Sequence, residues 1–143
     1  MRRDVIIYII AILSLAVIIL FASNYFSNSS KVDDSLGTVV HHVSLKIIAP
    51  NWSISYLDVT TSNNTVADLL FECADVYNFS VEKTFWTGYN SFFIEAINGT
   101  RNGEDGRYWQ YYVNGEYADI GCSLYVLHDY DVVEWRFESS PWG

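Results

Sequence analysis

Tyr108-Trp109-Gln110-Tyr111-Tyr112-Val113-Asn114-Gly115-Glu116-Tyr117-Ala118 is the stretch on which the fold turns. Residues 109–113 are aromatic or β-branched at nearly every position, which favours a pleated, half-buried strand. Asn114-Gly115 follows directly, and this dipeptide accepts the positive φ angles that a two-residue type I′ turn requires. Residues 116–118 then read as the return strand. Period two puts Trp109, Tyr111 and Val113 on one face, and Tyr108, Gln110 and Tyr112 on the other. One of these faces must be core. The other exposes two tyrosines, which marks it as a candidate contact surface. Aromatic pairs that simply stabilise the sheet are the competing reading.

Downstream, residues 128–131 (His-Asp-Tyr-Asp) read as a turn and 132–137 (VVEWRF) as the last strand. Upstream, residues 98–106 (NGTRNGEDG) are a turn-rich loop, preceded by strands over 92–97 and 81–85. Residues 65–77 change period. Val66, Leu69, Leu70, Cys73 and Tyr77 recur at helical spacing, and Thr65 with Asp68 resembles a capping box with Asp in place of Glu. Residues 39–49 alternate, with Val43, Leu45 and Ile47 on one face. Pro50-Asn51 is a turn, and Trp52, Ile54, Tyr56 and Val59 mark a second strand. Strand, strand, helix, then several strands is an α+β pattern, one helix packed on a mixed sheet.

The first part of the chain is of another kind. Residues 5–22 (VIIYIIAILSLAVIILFA) carry no charge, and Tyr8 and Ser14 are the only polar interruptions. A run of this length at about 1.5 Å per residue suffices to cross a hydrocarbon core of roughly 30 Å. Arg2 and Arg3 in front keep that end cytoplasmic, which places the rest of the chain outside, and Tyr25 and Phe26 suit the interface. A cleaved signal peptide is the rival reading. Its apolar run would be about 7–15 residues, and Leu20-Phe21-Ala22 is a poor cleavage site. The expected organisation is therefore an anchor over 1–26, a polar tether over 27–38 and one domain over 39–143, located at the cell membrane as a single-pass protein.

The formal charge of −9 falls mostly on that outer domain and repels phosphate backbones, so nucleic acid is not an expected partner. The sequence holds no H-E-x-x-H, C-x-x-C or G-x-S-x-G motif, and no catalytic constellation can be read from it. No enzyme activity, metal or cofactor is expected. His41 and His42 are neighbours, and on a regular strand they point to opposite faces and cannot chelate together. Asn98, Asn102, Glu104 and Asp105 form an oxygen-rich loop without EF-hand spacing. Cys73 and Cys122 are the only cysteines, and outside a membrane they invite one disulfide from helix to sheet. Two buried free thiols are the alternative. N-x-S/T sequons stand at Asn28, Asn51, Asn63, Asn78 and Asn98, all beyond the apolar segment, as glycosylation of an outward-facing domain, archaeal or eukaryotic, would place them.

The W-x-Y-x-V-N-G hairpin of Trp109 to Gly115, the Gly121-Cys122-Ser123 segment and the Asp131-x-Val133-x-Trp135-x-Phe137 strand occur in order, as does a helix opening Thr65-Val66-Ala67-Asp68-Leu69-Leu70. Together they resemble the transcobalamin-like C-terminal domain family, over roughly residues 39–138. The resemblance implies a β-grasp-like fold, of archaeal surface-protein type among its prokaryotic members. It also implies a binding role: in the vitamin B12 transport proteins such a domain closes over the corrin ring, opposite a large helical domain that this chain is too short to contain. The expectation is a membrane-anchored extracellular binding module for a corrinoid, another flat ligand or a surface protein. Tyr108, Tyr112, Asn114 and Tyr117 would form its contact surface, and cobalamin would be a ligand rather than a cofactor. The alternative is a structural or accessory subunit of a membrane or cell-surface assembly.

Overall fold

The computed structural model describes residues 38–140. The expected anchor, nearly all of the tether and the Asn28 sequon lie outside the described residues. Among those described, no helix is long and apolar enough to cross a membrane.

Strand β1 (Val40–Ala49) buries Val43, Leu45 and Ile47 completely, on the face their spacing predicted. It turns at Pro50-Asn51 into β2 (Trp52–Thr61), its antiparallel partner. Helix α1 (Val66–Tyr77) follows. Strands β3 (Val81–Trp86), β4 (Ser91–Ile97) and the two-residue β5 (Thr100–Arg101) come next, then β6 (Arg107–Val113), β7 (Glu116–Tyr117) and β8 (Val132–Ser139). β8 lies parallel to β1 and antiparallel to β6, which closes the order β2-β1-β8-β6-β7. The inner face of this sheet carries Trp109, Tyr111 and Val113 from β6 and Val133, Trp135 and Phe137 from β8. These join Val66, Leu69, Leu70 and Cys73 of α1 in one core. The parity read for residues 108–113 holds.

The helix begins where its first donors find acceptors. Asp68 N–H donates to Thr65 Oγ1 at 3.1 Å, as the cap reading required. Val66 N–H and Ala67 N–H donate to the carbonyls of Tyr125 (3.2 Å) and Cys122 (3.0 Å). The long β7–β8 connection therefore satisfies helix ends that would otherwise be orphaned. Asn78 ends the helix in the left-handed conformation, with φ 58°.

Two expectations are corrected. The strands form two sheets, not one: β3, β4 and β5 make a separate antiparallel sheet. Asn102 stands between β4 and β6. Its Nδ2 donates to Ile94 O (2.7 Å) and its Oδ1 accepts from Trp109 N–H (2.7 Å), so a side-chain amide occupies groups that a β4–β6 ladder would need. The histidine pair does not alternate either. The β1–β2 register shifts there, His42 takes φ 59°, and both rings are exposed, with their centroids 6.4 Å apart.

Candidate functional site

The outer face of the large sheet, expected to be the contact surface, is an internally satisfied ladder. The Tyr112 hydroxyl donates to Glu138. The Arg136 guanidinium lies 4.0 Å from the Tyr112 ring centroid and pairs with Glu134 at 2.9 Å. The Glu138 carboxylate holds the Tyr112 hydroxyl above its usual pKa, with burial adding to the rise. Asn114 is also committed. Its Nδ2 donates to Asp131 Oδ1 (2.8 Å) and its Oδ1 accepts from Val132 N–H (2.9 Å), which ties the hairpin corner to the start of β8. Tyr108 is exposed on this face, and no ring among the described residues packs against it. Tyr117 meets Tyr112 edge-on at 5.6 Å and also reaches a different surface.

That second surface is a cleft of about 230 Å³ between the two sheets. One wall is Phe92, Phe93 and Ile94 of β4, and the other is Trp109, Gln110 and Tyr111 of β6 with Trp135 of β8. Tyr117, Ala118, Asp119, Ile120, Gly121 and Cys122 close it. Of the six expected site residues, counting both cysteines, Tyr117 and Cys122 line the cleft and the other four do not. Asp119 is its one ionisable side chain apart from phenols and a thiol. The Tyr111 hydroxyl donates to Ile120 O at 2.7 Å, and burial raises its pKa. Among the described residues, two buried side-chain polar atoms lack a partner, Trp135 Nε1 and Gln110 Oε1. Both belong to residues lining this cleft.

Past Gly121, the cleft continues into a second groove of about 220 Å³ that also uses Trp86, Tyr89 and Ser91. Trp86 stacks on Phe93 with centroids 4.8 Å apart, and Tyr89 lies 5.9 Å from Trp86. The sequence reading missed these residues and the β4 wall, because they meet the hairpin only through the tertiary fold. One usable signal was the uncharged, aromatic run Phe85 to Phe93.

The expected disulfide is absent, and both cysteines are buried free thiols. The Cys122 carbonyl binds Ala67 N–H in the first turn of α1, and Cys73 lies six residues further on. Six residues advance about 9 Å along a helix, beyond the usual Cα separation of a disulfide. Cys122 Sγ instead lies 3.3 Å from Phe92 O. Burial raises both thiols, that of Cys73 to about 11. In the 98–106 loop, Asn102 is consumed as described, and Glu104 Oε1 accepts from Arg101 N–H at 2.9 Å. No group of three or more His, Cys, Asp or Glu among the described residues is placed to hold a metal ion.

Residues 63–139 match the model of a domain of unknown function, DUF4430. The chain belongs to this family. DUF4430 therefore covers α1, the small sheet, the cleft and the C-terminal strands. No curated protein matches the chain in sequence. Among solved structures, it is similar to a candidate metal binding protein from Ruminococcus gnavus ATCC 29149, with a TM-score of 0.55 and 16% identity. That match covers 71% of this chain and 98% of the other. It is also similar to haptocorrin in complex with Cbi, with a TM-score of 0.56 and 19% identity, over 78% of this chain but only 28% of haptocorrin. At these identities the likeness is one of fold, and at that level it agrees with the family resemblance of the hairpin and helix motifs.

Proposed function

We propose that this DUF4430 protein is a membrane-anchored extracellular binding module. It takes a small, flat, uncharged ligand, or one edge of a larger one, in the cleft between β4 and the β6–β7 hairpin. The cleft carries the proposal: aromatic walls from two sheets face each other across about 230 Å³, with one carboxylate at the margin. Aromatic walls interspersed with backbone and side-chain polar groups suit a planar guest that also makes a few hydrogen bonds. An unpaired buried donor costs roughly 1–3 kcal/mol, and Trp135 Nε1, from the inner face of β8, is one. The binding reading is supported further by the fold shared with haptocorrin, which was solved with Cbi bound. A space of this size is below the roughly 300–1,000 Å³ of ordinary ligand pockets. A corrinoid would be held by one edge, with a partner surface covering the rest. The exposed sequon residues Asn51, Asn63, Asn78 and Asn98 are proposed glycan acceptors, in keeping with an outward-facing domain.

The test is a calorimetric titration with Cbi. Saturable heat is expected, and Tyr117→Ala, which removes an exposed wall residue, should weaken binding about five- to tenfold, the equivalent of roughly 1–1.4 kcal/mol. Tyr112→Phe, on the far face, should change it less than twofold. No heat with Cbi retires the corrinoid edge. If a small aromatic amide such as benzamide also fails to shift the Trp109 and Trp135 indole N–H resonances, the cleft reading falls.

A further inference from the structure

Four of the apolar side chains left exposed by this fold, Trp86, Tyr89, Phe93 and Leu124, lie together towards one end of it. β3 runs from Val81, paired with Ile97, to Trp86, paired with Ser91. The 87–90 turn thus lies about 20 Å from Asn98, at roughly 3.4 Å per strand residue. Trp86, Tyr89 and Phe93 are all exposed there, Tyr89 at 70%. Residues 84–94 contain no Asp, Glu, Lys or Arg. Gly121 packs against Ser91, and the exposed Leu124 donates its N–H to Gly121 O, which adds an aliphatic side chain to the same end.

The chain enters the domain at this end too. Val40 pairs with Thr61, His41 O accepts from Tyr130 N–H, and Leu127 N–H donates to Asn64 O beside the helix start that Cys122 caps. Three sequons mark the other end. Asn51 is in the β1–β2 turn, Asn78 caps the helix C-terminus, and Asn98 follows β4; all are exposed. They adjoin one another, since Trp52 Nε1 donates to Thr100 Oγ1 at 3.0 Å and Asn98 N–H to Ser80 O at 2.8 Å.

We propose that the apolar end built from Trp86, Tyr89, Phe93 and Leu124 rests on a neutral membrane surface, with the sequon-bearing end directed away from it. The proposal stands on the anchor reading of residues 5–22. Between that segment and the domain, the polar residues 24–37 span at most about 50 Å when fully extended, so the domain is confined near the bilayer. Trp and Tyr favour the headgroup region, and a patch without formal charge enters it without an ionic desolvation cost. The acidic balance of the whole chain makes zwitterionic lipid the suitable surface. Asn63, which precedes the helix at the apolar end, should be the least occupied of the four described sequons.

The experiment places the full chain in phosphatidylcholine nanodiscs that contain a small fraction of gadolinium-chelate lipid, and reads paramagnetic broadening of amide resonances. Broadening should be strongest at 86–91 and 121–124 and weakest at 50–52, 78–80 and 98–100. Trp86→Ser/Tyr89→Ser, at exposed positions, should reduce the broadening at the apolar end at least threefold without shifting core resonances. A chain retained in the discs with uniform or reversed broadening overturns the membrane contact alone. A chain that elutes apart from the discs overturns the anchor reading and the contact with it.

Discussion

Gly121→Ala should be among the most damaging single-methyl additions to this domain. A Cβ at Gly121 would fall 2.4 Å from Ser91 Cβ and 2.5 Å from Ser91 Oγ, about 1 Å inside ordinary van der Waals contact. Neither neighbour can give way cheaply. Ser91 is 3% exposed, and its Oγ accepts from Ser123 N–H at 3.1 Å, while Ser123 Oγ accepts from Phe92 N–H at 3.1 Å. Overpacking alone costs about 1–3 kcal/mol, and each hydrogen bond loosened by the shift adds about 1 kcal/mol. The expected loss is therefore roughly 3–4 kcal/mol, read as a lower urea midpoint with unchanged slope. Ser91→Gly removes both clashing atoms, so adding it should recover more than about 1 kcal/mol of the loss as coupling between contacting sites. The glycine is also the shared wall of both grooves, so Gly121→Ala should widen or block the passage between them. A Gly121→Ala variant within about 0.5 kcal/mol of the parent, the range of an inert surface change, would refute the reasoning.

The other expectations concern the groups that bridge the sheets. Asn102→Ala strands Trp109 N–H and Ile94 O, and should cost roughly 2–3 kcal/mol; a change under about 0.5 kcal/mol would mean that solvent serves both groups equally well. Asn114→Asp keeps the acceptor for Val132 N–H but sets a carboxylate against Asp131, and should cost about 1–2 kcal/mol by thermal unfolding, less at high salt. Without reductant, the unfolded chain should titrate as two thiols, and the folded chain should resist alkylation at pH 8. Finding no thiol would restore the disulfide. Burial raises Cys73 from the ordinary 9.0 to about 11, so its contribution to stability is complete below pH 9 and is lost as pH rises towards 11. Cys73→Ala should flatten the decline in that window.

Much of the fold could be read locally. β1 declared its face through Val43, Leu45 and Ile47, the helix through Thr65 and Asp68, and the hairpin through Asn114-Gly115, because each signal lies within a few residues of its effect. The failures are non-local. The tyrosine face of β6 looked free because its partner strand was not in view. Glu134, Arg136 and Glu138 alternate along β8 and face Tyr112 and Tyr108 in register, and that alternation was the available clue. The left-handed His42 has no short-range signal comparable to Asn-Gly. The cysteine pair suited a disulfide in composition, but the fold sets Cys122 beside the first turn of α1 and Cys73 almost two turns away.

The same non-local placement explains why a cleft exists. Adjacent strands in one sheet lie about 4.8 Å apart, which leaves no room between them for a ligand. Here β4 and β6 are not laddered. The Asn102 side chain holds them together at one end. At the other, the exchange between Ser91, Phe92 and Ser123 ties β4 to the β7–β8 connection. Side chains hold strands at a wider spacing than backbone bonds do, and the aromatic residues of both walls line the space between. Loosening either clamp should alter the cleft before it unfolds the large sheet, whose β1–β8–β6 ladders are independent of both. Binding should thus respond beyond the stability loss: Asn102 and Ser91 variants should weaken ligand affinity under conditions where they remain fully folded, with the β1 and β8 amides still the most protected from exchange.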